Sequence, residues 1–284
     1  MHKAILIIAS IGFMLTLSAR AQNDIEAELK ASSDEHMREE LGINPVTSPS
    51  IATLLNDLEA FRPAPLKLLD ATSRETSFNN RLQTALHFGS LVADGFILTI
   101  AERPKDVQDV GKELIRQARA LGIGERLTKR SKSLLDLSDK GDWIGMRQEL
   151  VRTQEDVENT MMELRDEEMA HIVSLGGWLR GFQIGTTSTA EKYTPAKADI
   201  LAKADVIDYF IDRLETLNPD LKKTEMVTAL VEGIKKIRLL LIETQGVTPT
   251  EAQVAKLKQL ADEAHAIATA RVDEEGRFTK SPNP

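Results

Sequence analysis

One stretch limits this chain more than any other: residues 77–102 read as a single helix that is apolar over most of its circumference. Phe78, Leu82, Ala85, Gly89, Val92, Phe96 and Ile100 recur at spacings of four and three, the period of one helical face. Leu86, Leu91, Ile97 and Leu98 widen that stripe. A helix so clad must be covered on most sides. The spacing therefore predicts an all-α fold, an irregular bundle of about seven to ten helices around this central buried one. Ala85, Gly89 and Ala93 remove bulk along one line of it, and Gly177, Gly181 and Gly185 form a matching line beside Trp178. An interior glycine costs a helix about 1 kcal/mol relative to alanine, and Gly176 adds a fourth. The two lines are expected to lie at close range against each other or against another crossing helix; alternatively Gly176-Gly177 interrupts an over-long helix, and the two readings are compatible.

Punctuation along the rest of the chain supports helices throughout. A capping side chain precedes proline at Ser48-Pro49, Thr194-Pro195, Asn218-Pro219 and Thr248-Pro249, placing proline at the first helical position. Pro104 fits the same position. Gly42, Gly122, Gly124, Gly141 and Gly246 stand where helices should stop. Helices are expected at 24–41 (interrupted), 50–61, 77–102, 105–121, 125–139, 142–184, 195–217 (one helix or two), 219–244 and 249–273. No segment alternates as a strand would. Residues 186–194 read as a polar connector and 274–284 as a disordered tail. The helical hairpins between 105 and 165 resemble tetratricopeptide-type solenoids in pattern, but no 34-residue self-similarity accompanies them, which favours the irregular bundle.

The expected organisation is a signal peptide at 1–21, an N-terminal helical segment at 22–75, the bundle at 76–273 and the tail. Lys3 begins the signal, Ala4 to Leu17 form its apolar run, and Ala19-Arg20-Ala21 gives the small-x-small pattern for cleavage before Gln22. The apolar run is too short to span a bilayer comfortably. The protein is thus expected outside the cytoplasm, periplasmic or extracellular, with no transmembrane segment in the mature chain. The absence of cysteine excludes disulfides, thiolate metal sites and thiol catalysis, so the core alone must stabilise an exported fold. Net charge is −8, and loss of Lys3 and Arg20 leaves 34 basic against 44 acidic residues, about −10. Such a chain repels nucleic acid and anionic membrane surfaces. Arg126, Lys129, Arg130 and Lys132 read as a solvated helix face.

Three groups of residues could carry chemistry. Glu168 with His171 and Asp262 with His265 have the carboxylate-x-x-His spacing that dinuclear bundles use twice, and Met161, Met162, Met169 and His171 offer a softer donor set. Thr84, His87, Ser90 and Asp94 share one face of the central helix. That face looks at solvent or lines a polar cleft, and in a cleft Asp94 needs a cation, for which Arg180 is the candidate. His87, Ser90 and Asp94 cannot act as a triad, because parallel side chains of one helix do not converge. Asp205, Asp208, Asp212 and Glu215 form an acidic line that is either a wet helix face or a face for a basic partner or a divalent cation. No calcium loop, phosphate loop or nucleotide fingerprint is present. The residues therefore point to an exported, non-enzymatic binding or structural module of the cell envelope, without a cofactor, whose partner is a protein or envelope component. The alternative is a bundle that binds a metal or small ligand.

Overall fold

A computed structural model describes residues 57–70, 78, 80–244, 247–280 and 282. The signal peptide, the cleavage point at Gln22, the helix expected at 24–41 and residues 50–56 of the one expected at 50–61 lie outside these residues. The described residues contain eleven helices. They are α1 (Leu66–Asp70), α2 (Arg81–Ile100), α3 (Pro104–Ala120), α4 (Gly124–Lys140), α5 (Trp143–Glu163), α6 (Glu167–Glu191), α7 (Pro195–Leu201), α8 (Ala204–Glu215), α9 (Pro219–Lys222), α10 (Glu225–Glu243) and α11 (Glu251–Thr269). No strand occurs among the described residues, only an isolated antiparallel bridge between Val272 and Phe278.

The central helix is α2, and every residue from Leu82 to Ile100 is buried. It starts at Asn80, whose side chain accepts from Gln83 N at 3.1 Å, and packs along α6 and α3 with α5 and α11 against it. Phe88, Leu91, Phe96, Ile97 and Leu98 fill the core on different sides of the helix. Burial all round is what its near-continuous apolar surface required.

The α2–α6 contact is backbone against backbone. A Cβ on Gly89 would lie 1.9 Å from Val173 O, and one on Gly176 would lie 2.0 Å from Leu86 O. Helix α6 runs unbroken through Gly176-Gly177, so these glycines allow an approach and do not end a helix. The small-residue line differs from the expected one. Gly177 faces Gly89 O at 3.4 Å, but Gly181 faces only Leu58 methyls, from 3.7 Å, and Gly185 faces the Phe61 ring and Leu201.

Several other expectations are corrected. The segment 142–184 is two helices, split at residues 164–166 where Arg165 takes φ 54°. The polar connector at 186–194 is mostly helix, since α6 continues to Glu191. Its hydroxyls bond to their own helix: Thr186 Oγ1 donates to Phe182 O (2.9 Å) and Thr189 Oγ1 to Gly185 O (2.8 Å), so a polar composition is compatible with a buried helix here. Pro219 opens a short helix that stands apart from α10, while 195–217 is the pair of helices that its length allowed, α7 and α8; the described helices thus exceed ten by one. Gly124 begins α4 instead of capping its predecessor. Thr250, not Thr248, caps α11, closing a reciprocal box with Gln253.

The ends of the described chain are also more tied down than expected. After α11 a turn from Asp273 to Arg277 folds back, with Asp273 N donating to Arg277 O at 3.0 Å, Gly276 O accepting from Met226 N at 3.1 Å and Glu225 accepting from Phe278 N at 2.9 Å. Residues 274–280 are therefore ordered against α10, contrary to the disordered tail expected from 274. Leu58, Phe61 and Leu69, from the stretch assigned to a separate N-terminal segment, are buried.

Candidate functional site

Thr84, His87, Ser90 and Asp94 are all buried, so this face does not look at solvent. Thr84 Oγ1 donates to Asn80 O (3.0 Å). Ser90 Oγ bridges the two central helices, contacting Leu86 O at 3.1 Å and Gly176 O at 3.2 Å. Asp94 meets Arg180: guanidinium Nε donates to Oδ1 at 2.6 Å, with side chains 8% and 1% exposed. Arg180 Nη1 donates to Gln183 Oε1 (2.6 Å), Gln183 Nε2 donates to Asp262 Oδ1 (2.8 Å), and Lys258 Nζ donates to Asp262 Oδ2 (2.6 Å). The chain of bonds runs from the dry centre of α2 through α6 to the edge of α11. Arg180, Asp94, Gln183 and Asp262 thereby satisfy each other, as buried charges must.

His265 belongs to the same seam. Burial above all, then Arg180 and His87, lowers its imidazole to about 3. Its Nε2 is buried without a protein hydrogen-bond partner. His87 packs edge-on to Phe78, ring centres 5.0 Å apart.

The two carboxylate-x-x-His pairs serve other ends. Glu168 accepts from Asn218 N. His171 Nδ1 shares a 2.8 Å hydrogen bond with Tyr209 OH, and burial followed by the charge of Arg213 lowers its imidazole to about 4. Asp262 is held by Gln183 and Lys258. Among the described residues no three His, Asp or Glu side chains assemble as metal donors. Met161 and Met169 are core residues, while the side chain of Met162 lies outside the described residues.

The acidic line on α8 is largely engaged within the chain. Asp208 pairs with Arg238, Glu215 with Lys235 at 2.6 Å and Asp212 with Arg213 at 2.7 Å; Asp205 is exposed. Two of the four carboxylates thus fasten α8 to α10. Of the basic residues on α4, Arg130 pairs with Asp156 (2.6 Å) and Glu149 (3.3 Å) and Lys132 is exposed, while the side chains of Arg126 and Lys129 lie outside the described residues.

Two features escaped the sequence reading. Lys197 is buried, and its Nζ donates to Ser188 Oγ (3.0 Å), which donates to Phe61 O (2.7 Å). Burial, followed by nearby Lys192, lowers the Lys197 ammonium below its ordinary value. The arrangement ties residues 57–63 to α6 and α7. Beside it an apolar cleft of about 70 Å³ opens between Leu58, Phe61, Gly177, Trp178, Gly181, Phe182 and Val206, with an Asp57–Lys203 ion pair (2.5 Å) at its rim. Trp178 stacks on Phe182 at 5.2 Å and leans on Phe210 at 5.5 Å, forming one rigid aromatic wall. The sequence signal for it is the i, i+4 pair Trp178 and Phe182 beside Gly177 and Gly181, glycines whose spacing equally fits a close helix contact.

Comparison with protein-family models, with curated proteins and with solved structures finds no match. Among the described residues no helix is long and apolar enough to cross a membrane.

Proposed function

We propose that this protein is an exported, non-enzymatic helical module, mature from Gln22, which binds a protein of the cell envelope through the apolar cleft beside Trp178. The observation that carries the reading is the cleft: apolar walls, a glycine floor and a charged rim, open on one side. Its volume of about 70 Å³ favours a small occupant. Pockets for small ligands run to roughly 300–1,000 Å³, so this one suits a single aliphatic or aromatic side chain that anchors a larger partner. The polar residues that most resemble a site are bonded to each other across α2, α6 and α11, which supports a structural role for them.

The test is capture of envelope components on immobilised mature protein, compared with Gly181→Leu. Position 181 has room for a Cβ, the nearest atom being 3.7 Å away, so leucine should fill the cleft and leave the fold intact. The reading expects a component retained by the wild type and lost by a Gly181→Leu variant of unchanged melting temperature. Equal retention by both would remove the cleft from the function, and stoichiometric metal in the purified protein would favour the ligand-binding alternative.

A further inference from the structure

In the seam joining α11 to α2 and α6 the charges are already paired, Arg180 with Asp94 and Lys258 with Asp262, so an added proton upsets the balance. Facing His265 from α6 is Arg180, a fixed cation with a side chain 1% exposed. From α2 come His87 and Asp94, and Asp94 is taken by Arg180 at 2.6 Å. From α11 itself Asp262 lies one turn away, but its two oxygens already accept from Gln183 and Lys258. From α10 the buried residues are apolar: Met226, Val227, Leu230, Gly233, Ile234, Ile237 and Leu241. His265 Nε2 is itself buried with no protein partner. Asp94 and Asp262 already pair with Arg180 and Lys258, so a proton there adds a second cation beside Arg180.

The other contacts of α11 divide into two kinds. Its C-terminal continuation is fastened to α10 by Met226 N to Gly276 O and by Phe278 N to Glu225. Its hydrogen bonds to α2 and the residue before it are Gln83 Nε2 to Ala270 O, from a buried side chain, and Asn80 Nδ2 to Glu274 O at the surface. Helix α11 packs more extensively along α6 than along α10, so its hold on α6 combines apolar packing with the polar seam.

We propose that this seam is an acid-responsive latch: protonation of His265 places a second cation beside Arg180 and releases α11 from its seat on α6 and α2. The released state exposes His265 to water, where an imidazole takes up its proton near the ordinary value of 6.5, and the closed state resists protonation down to about 3. Between pH 7 and pH 5 the open-to-closed ratio should therefore rise about 25-fold. This inference does not depend on the cleft or on its partner.

Amide hydrogen exchange of the mature protein at pH 7 and pH 5, corrected for the intrinsic chemical rate, reads the ratio directly. In the wild type, protection at the α6-facing amides of α11 should fall about 25-fold, with α2 changing less. In His265→Gln it should be nearly independent of pH, and in His171→Gln, which removes the other depressed imidazole, the α11 response should persist. Equal pH responses in wild type and His265→Gln would overturn the latch. A second measurement needs no variant: the His265 imidazole followed by NMR in the intact protein. Titration near 6.5 with α11 still protected would also overturn it, and an imidazole that stays neutral until α11 opens supports it.

Discussion

Replacing Gly176 by alanine should destabilise the protein by about 2–4 kcal/mol, although alanine is the better helix former by about 1 kcal/mol. The added methyl carbon would sit 2.0 Å from Leu86 O, 2.8 Å from its carbonyl carbon and 2.9 Å from its Cα, all of them backbone atoms that no rotamer change can move. A carbon and a carbonyl oxygen settle at about 3.3–3.6 Å, so α2 and α6 must part by more than 1 Å along the contact. A gap of 0.5–1 Å forfeits roughly a quarter to a half of each dispersion contact it opens. The Ser90–Gly176 hydrogen bond of 3.2 Å, worth about 1 kcal/mol, stretches with it. Overpacking of this kind costs about 1–3 kcal/mol and occasionally more, and a contact between two rigid backbones belongs at the upper end. Gly181→Ala is the internal control, since its methyl meets only Leu58 at 3.7 Å or beyond and should stabilise by up to about 1 kcal/mol. Urea unfolding followed by circular dichroism reads both, as shifts of midpoint at constant slope. A Gly176→Ala variant as stable as the wild type would refute the close backbone contact.

Further outcomes follow from the same structure. His171 and His265 are held neutral in the fold, at about 4 and about 3, below the ordinary 6.5, so the unfolded chain binds protons first as pH falls. Stability is then complete above about pH 6.5 and declines toward pH 4 and 3. By pH 5 each histidine should have cost about 2 kcal/mol, or about 4 together, and chemical unfolding at pH 7 and 5 that gave equal stabilities would contradict both burials. N-terminal sequencing of exported protein should begin at Gln22; an intact Met1 on membrane-bound protein would make the first segment an anchor. Lys197→Met should leave α6 in place but expose residues 57–63 to limited proteolysis, whereas unchanged cleavage would mean that apolar packing of Leu58 and Phe61 suffices.

What could be read from the sequence was whatever had a local cause. The central helix was legible because its apolar period covers every side, and the starts of α3, α7 and α9 because proline stands at their first position. The break at 164–166 was not, for it contains neither glycine nor proline and depends on Arg165 adopting a left-handed backbone. The serine- and threonine-rich end of α6 was misread because a hydroxyl that bonds the carbonyl one turn back looks, in sequence, like a hydroxyl facing water. The pairing of Asp94 with Arg180 was legible on energetic grounds, since a carboxylate within an apolar helix requires a cation. Gln183, Asp262 and His265 were not, because only the fold brings α11 across α6. The acidic residues of α8 were ambiguous for a similar reason: Lys235 and Arg238, which face them, lie twenty or more residues later.

The central claim is that the buried polar residues are a structural linkage between α2 and α6, and a double-mutant cycle tests it most directly. Asp94→Leu and Arg180→Met should each cost about 3–5 kcal/mol, since each leaves one charge buried alone. The double variant, with no charge left to bury, should cost at least 2 kcal/mol less than the two singles together. Strictly additive costs would show Asp94 and Arg180 acting independently, and would contradict the linkage.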